Sequence, residues 1–243
     1  MSKSLTITAN IKPRSPLPTI EQQYVDLWRF AGALESIGCP RDAWFPPAAT
    51  EAESLLNKAF DDHGPTLAAI ALAKADRDNM ATDIRSAGVW NGIEGTGGMA
   101  FTTLLSSALF PSNLEFTSKG VQQLADYRKV VQLIKAIIEI WNPLLIQVDP
   151  DHYSDQAVFP NRPAVGWMIY LPVAVRAAQV PEAYNVVAIP NDSGNGQKGT
   201  LVIAVDDEFD VSNSQHIRIA NSIETRLVDQ DLLPTYSELR AGL

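Results

Sequence analysis

Residues 124–143 read LADYRKVVQLIKAIIEIWNP, and the apolar positions in this stretch recur at intervals of three and four. That spacing places six side chains along one side of an α-helix and predicts a long helix packed against the core. The six are Leu124, Tyr127, Val131, Ile134, Ile138 and Trp141. The helix should end at Asn142, because a residue that precedes a proline is biased away from the helical conformation.

Four strands are predicted after this helix, each from a run of apolar and β-branched residues. They cover residues 144–148, 165–171, 184–189 and 199–205. A polar loop with two glycines joins the last two strands and predicts a hairpin. Because residues 201–205 are apolar without interruption, their strand should be covered on both faces and lie inside the sheet.

The first half of the chain supplies further strands. Residues 99–105 form a predicted strand, and a glycine-rich turn at 92–98 joins it to another. An N-terminal strand is predicted where apolar residues alternate with polar or small ones, at Leu5, Ile7, Ala9 and Ile11.

Helix starts are predicted where a hydroxyl side chain precedes a Gln or Glu by three positions, since the two can bond to exposed backbone donors. The pairs are Thr19 with Gln22, Thr50 with Glu53, and Ser212 with Gln215. The last helix is expected over residues 213–230. Strands and helices do not alternate regularly, so we predict an α+β fold. It should have a mixed or mainly antiparallel sheet of five to seven strands, with helices packed on it, in a single domain over residues 1–243.

The composition disfavours several ligands and locations. The formal net charge is −9 with a pI near 4.8, which disfavours direct nucleic-acid binding because phosphate binding depends on Lys and Arg. Cys39 is the one cysteine, so no disulfide can form within the chain. We recognise no targeting segment and no apolar stretch near the roughly 20 residues that span a bilayer, so we expect a cytoplasmic protein.

The sequence predicts no catalytic residues, no metal site and no cofactor. The main enzymatic alternative is a metal-dependent hydrolase that uses Asp206, Asp207 and His216, since carboxylates after a buried strand suit a divalent cation. Adjacent residues of an extended chain point to opposite sides, which argues against one ion held by both aspartates. The acidic segment 149–155 lacks the residues of a calcium loop, and the glycines at 92–98 lack the Lys-Ser/Thr pair of a phosphate loop.

Acidic side chains are concentrated in the second half of the chain. Residues 146–210 contain nine acidic and three basic side chains, a net charge of −6 out of the total −9. Such a region attracts a basic partner and speeds its association, although acidic loops can also serve solubility alone. Trp44, in the segment DAWFPP, is interpreted as a loop aromatic that could anchor a partner. The candidate contact residues are Trp44, Asp149, Asp151, Asp155, Asp192, Asp206, Asp207 and Glu208.

The chain resembles the immunity protein 52 family of bacterial polymorphic toxin systems, through structural motifs spread over most of its length. These motifs are a strand ending near Arg14, a helix reaching Leu34, the corner at Trp44, the turn at Asn91 after Trp90, the segment Phe209-Asp210-Val-Ser-Asn213-x-x-His216, and a final helix that stops at Leu232-Leu233-Pro234. The resemblance implies that Asp210, Asn213 and His216 organise the corner before that helix.

The resemblance also implies an α+β antidote to a toxin with a restriction-endonuclease-like nuclease domain, delivered between bacteria by specialised secretion such as type VI. The leading hypothesis is therefore an immunity protein, not an enzyme, that neutralises a cognate nuclease toxin through an acidic surface. It would either plug the active site of the toxin or block its assembly. The metal-dependent hydrolase and a phage or secretion-linked structural subunit remain the alternatives.

Overall fold

The computed structural model describes residues 3–77, 83–107, 112–150, 153–191 and 193–241. Its strands are β1 (Ser4–Ile11), β2 (Phe60–Asp61), β3 (Gly64–Pro65), β4 (Ile84–Trp90), β5 (Met99–Ser106), β6 (Ser112–Lys119), β7 (Leu145–Pro150), β8 (Met168–Leu171), β9 (Asn185–Pro190) and β10 (Gln197–Ile203). Its α-helices are α1 (Ile20–Glu35), α2 (Glu51–Ser54), α3 (Leu67–Arg77), α4 (Tyr127–Trp141), α5 (Ser214–Asp229) and α6 (Tyr236–Ala241).

Eight of these strands form one sheet in the order β4-β5-β6-β1-β7-β8-β10-β9, and every neighbouring pair is antiparallel. The predicted α+β class and antiparallel sheet are confirmed, but the predicted count of five to seven strands is too low. Within this eight-stranded sheet, the strand that the sequence did not reveal is β6. Its inward positions include Ser112 and Ser118, so only Leu114 and Phe116 carry the apolar alternation.

The predicted C-terminal hairpin is present, with Leu201 of β10 opposite Val187 of β9. β10 lies between β8 and β9 and its last residues are fully buried, as expected for an interior strand. β8 begins later than predicted because Gly166 forms a turn with φ of 59°. A Cβ at Gly166 would lie 2.5 Å from the carbonyl oxygen of Val148, so this close approach of the chain to β7 requires glycine.

One face of the sheet is covered by α1 and α4, which pack against each other. The ring of Phe30 in α1 meets Phe101, Phe116 and Trp141 edge to face, with centroids 5.1, 6.0 and 5.7 Å away. Such aromatic contacts favour the arrangement beyond simple burial. In β1 every second residue is buried and the others are half-buried, so the opposite face of this strand remains accessible.

The helix predicted from the opening stretch is confirmed as α4, although Leu124 belongs to a 3-10 turn (Gln122–Ala125) before it. Asn142 ends α4 in the left-handed conformation, with φ of 48°. Within the described ranges, no helix is both long enough and apolar enough to cross a membrane.

The capping predictions are confirmed at Thr19 and Thr50, where both reciprocal hydrogen bonds of the capping box are present. The capping prediction for α5 is wrong by one residue, because Asn213 and not Ser212 is the N-cap. Ser212 is occupied elsewhere: its backbone N–H and its hydroxyl both donate to Oδ1 of Asp210, at 2.9 and 2.6 Å. The Asp210 side chain thus forms the turn that leads into α5.

Replacing Phe30 by alanine should lower the free energy of unfolding by about 3–5 kcal/mol, because it leaves a cavity between α1, α4 and the sheet. Urea denaturation followed by circular dichroism measures this change. Val25→Ala lies on the same helix at a side chain that is 42% exposed, and should alter the free energy by about 0.5 kcal/mol or less. Equal losses in the two variants would contradict the packing described.

Candidate functional site at one end of the sheet

β7 and β10 run in the same direction, because each is antiparallel to β8, which lies between them. Their C-terminal ends therefore lie at the same end of the sheet, roughly 10 Å apart for strands two positions apart. Asp149 lies near the end of β7, and Asp206, Asp207 and Glu208 follow β10. The strand directions thus bring together acidic residues from two separate loops.

Asp155 joins this group through a short 3-10 turn (Tyr153–Gln156) that follows β7. The ring of Tyr153 packs edge to face on Phe209, with centroids 5.4 Å apart, and Phe209 is the neighbour of Glu208 in the chain. We call this group the acidic end of the sheet, consisting of Asp149, Asp155, Asp206, Asp207 and Glu208.

The carboxylates of the acidic end differ in accessibility. Asp155, Asp206 and Asp207 are exposed, whereas Asp149 and Glu208 are half-buried. The ammonium of Lys3 lies 3.1 Å from the carboxylate of Glu208, while Asp206 and Asp207 form no ion pair among the described residues. An exposed pair such as Lys3–Glu208 contributes little to stability. Within the described part of the chain, the exposed charges of Asp206 and Asp207 are therefore not balanced by an ion pair.

The turn that follows β7 and carries Asp155 is anchored to α5 by a hydrogen bond of Tyr153. The hydroxyl of Tyr153 donates to Oδ1 of Asn221 in α5 at 2.8 Å. Burial raises the pKa of Tyr153, and the nearby charges of Glu224 and Asp149 add to the effect. The turn that carries Asp155 is therefore held against α5.

Glu224 of α5 holds the loop that follows the Tyr153–Gln156 turn, a role that the sequence interpretation missed. Its side chain is fully buried, and Oε1 accepts hydrogen bonds from the backbone N–H groups of Val158 and Phe159 at 2.9 and 3.0 Å. Burial raises the pKa of Glu224, and these backbone donors partly oppose the shift. Glu224 lies on the apolar stripe of α5, four residues after Ala220 and three before Leu227, which was the available signal.

The predicted corner before α5 is organised by the three residues that the resemblance implied. The backbone N–H of Asp210 donates to Nδ1 of His216 at 3.1 Å, and the His216 ring contacts Phe209 with centroids 5.4 Å apart. Asn213 caps α5 by accepting from the N–H of Gln215. His216 thus contributes to the structure of the corner. The described part of the chain contains no group of three His, Cys, Asp or Glu placed to hold a metal ion.

The remaining candidate residues are Trp44, Asp151 and Asp192. Trp44 is fully buried and meets Phe101 edge to face at 4.7 Å, so the interpretation of Trp44 as an available loop anchor is wrong. Asp151 and Asp192 lie outside the described residues. The loop of position 192 is flanked by Pro190 and Gln197, which pair at the end of the sheet opposite Asp206.

A family model described as immunity protein 52 matches residues 27–236 of the chain. The chain belongs to the immunity protein 52 family. The resemblance noted from the sequence is thus confirmed, and membership of an immunity protein family implies that the chain binds a cognate toxin. No curated protein matches the chain.

Solved structures with a similar fold include the T6SS protein PA0821 of Pseudomonas aeruginosa. The similarity has a TM-score of 0.53 at 14% sequence identity, and covers 92% of this chain and 76% of that one. At this level of identity the comparison shows the fold alone.

The contribution of Glu224 to stability should depend on pH. Because its pKa is raised in the folded state, its contribution is fully present below the unfolded pKa and is lost as pH rises through the folded pKa. Glu224→Gln cannot ionise, so the free energy of unfolding of the wild type relative to this variant should fall as the pH rises above about 4.3, the ordinary pKa of a glutamate side chain.

Urea denaturation at a series of pH values measures this difference. Glu139→Gln, which removes a carboxyl that is 78% exposed, controls for the loss of one charge. A difference between wild type and Glu224→Gln that stays constant with pH would refute the effect of burial on Glu224.

Proposed function

We propose that this immunity protein neutralises a cognate nuclease toxin by binding it through the acidic end of the sheet. The observation that carries the proposal is the pair of exposed carboxylates at Asp206 and Asp207, which follow β10 directly before Glu208 and form no ion pair among the described residues. A nuclease binds phosphates with Lys and Arg side chains, so its working surface is basic. The two surfaces are complementary in charge.

The proposed action is binding without chemistry. A toxin held against the acidic end has its phosphate-binding residues covered, or is prevented from assembling into its active form. Complementary charge raises the rate of encounter and disfavours wrong partners. The protein should act as a single domain in the cytoplasm of the producing cell, because the nucleic acid that needs protection lies there.

The type VI secretion context is also part of the proposal. Its support is the fold shared with a T6SS protein of Pseudomonas aeruginosa. We include Asp149 and Asp151 in the contact set because both adjoin the end of β7 in the chain, and we leave out Asp192 because Pro190 and Gln197 pair at the opposite end.

The proposal predicts that this protein binds the product of the adjacent open reading frame and restores growth to cells that express it. Asp206→Lys should slow the association of the two purified proteins roughly tenfold at low salt and reduce the dependence of the rate on salt. Stopped-flow or biolayer measurements at several salt concentrations give these rates.

Glu139→Lys is the matched control, because it makes the same change of charge near the C-terminal end of α4, away from the acidic end. Equal slowing by Asp206→Lys and Glu139→Lys would show that total charge matters and the acidic end does not. Failure of the wild type both to bind the product and to restore growth would reject the proposed function.

A further inference from the structure

Two tyrosines that lie 57 positions apart in the sequence meet beside the acidic end. Tyr127 is the first residue of α4, and Tyr184 immediately precedes β9. Their rings are arranged edge to face, with centroids 5.6 Å apart and an interplanar angle of 77°. Tyr184 remains 48% exposed although its ring has an aromatic partner. The pair therefore presents aromatic surface to solvent.

The pair is held in place by the backbone on both sides. The N–H of Tyr184 donates to the carbonyl oxygen of Ala204 at 3.2 Å, which extends the β9–β10 ladder by one residue. Tyr127 follows the N-cap Asp126, whose carboxylate accepts from the N–H of Arg128 at 2.9 Å. Interaction with the Tyr127 side chain raises the pKa of Tyr184. These contacts position the backbone on both sides of the pair, and the edge-to-face contact joins the two rings before any partner binds.

The charges around the pair are negative on balance. Asp206 lies close enough to Tyr184 to add to the rise in its pKa. The guanidinium of Arg128 lies 5.1 Å from the centre of the Tyr127 ring and 3.8 Å from the carboxylate of Asp126, so a neighbouring acid already balances its charge. Asp206 and Asp207 have no such partner among the described residues. An exposed ring next to such carboxylates suits a cationic side chain, which binds the ring face and the acid together.

We propose that Tyr127 and Tyr184 form the aromatic anchor of the toxin interface, with a Lys or Arg of the toxin lying on the Tyr184 ring and paired with Asp206. This inference rests on the proposed function and names the part of the acidic end that gives affinity. Tyrosine is enriched among the residues that dominate binding energy at interfaces. A side chain that is already fixed loses little conformational entropy on binding. The anchor takes the role that the sequence had suggested for Trp44.

The test uses the full chain and the purified nuclease product of the adjacent open reading frame as the probe. Tyr184→Ala should raise the Kd at least roughly 30-fold, mainly through faster dissociation. Tyr184→Phe keeps the ring and should stay within roughly fivefold of the wild type. Val25→Ala, a matched control whose side chain is 42% exposed on α1, should bind like the wild type. Urea midpoints of all variants check that they are folded.

The outcomes separate this inference from the proposed function. If the wild type binds the probe and folded Tyr184→Ala binds it equally well, the anchor is wrong while the acidic end stands. Slower association without faster dissociation in Tyr184→Ala would also overturn the anchor, since it would assign Tyr184 to steering. If the wild type does not bind the probe, both proposals fail together.

Discussion

The strict antiparallel order of the eight-stranded sheet decides which loops can meet. Strands separated by one neighbour run in the same direction, so β4, β6, β7 and β10 all end where β1, β5, β8 and β9 begin. Lys3, Asp149, Tyr184 and Asp206 come from widely separated segments and arrive at one end of the sheet for this reason alone. The candidate surface is therefore a product of strand pairing, and a change in register or direction would disperse it.

Local patterns predicted the parts of the fold that depend on near neighbours, including α4, the β9–β10 hairpin and two capping boxes. They missed β6, because serines at buried positions weaken its alternation. Local patterns could not predict the burial of Trp44, because its ring packs on Phe101, which is distant in the sequence. Counting charges found the acidic segments, and the hairpin itself could have separated Asp192 from Asp206, since a hairpin holds its turn and its open ends at opposite ends of the sheet.

The loops of the acidic end are held mainly by hydrogen bonds and ring packing, which do not neutralise the exposed carboxylates of Asp206 and Asp207. Basic side chains between the carboxylates would also hold the acidic residues together. They would, however, cancel the negative electrostatic potential that attracts a basic partner. In this protein Lys3 forms an ion pair with Glu208, Asp206 and Asp207 form none among the described residues, and backbone hydrogen bonds to Glu224 and the ring contact between Tyr153 and Phe209 hold the loops. The repulsion between like charges is weak when the groups are exposed to water. Hydrogen bonds and apolar packing are therefore enough to offset it.

Charge and aromatic surface perform different tasks in the proposed complex, and their ranges show why both are needed. At physiological salt the field of Asp206 and Asp207 is screened over about 8 Å, so it guides the last approach of a basic protein but adds little once salt competes. A ring contact acts only at van der Waals distance, yet salt hardly weakens it. In the proposed complex, the tyrosine pair beside Asp206 retains a partner that the charges have attracted. Long residence depends on the rings, since differences in affinity at one interface arise mostly from dissociation.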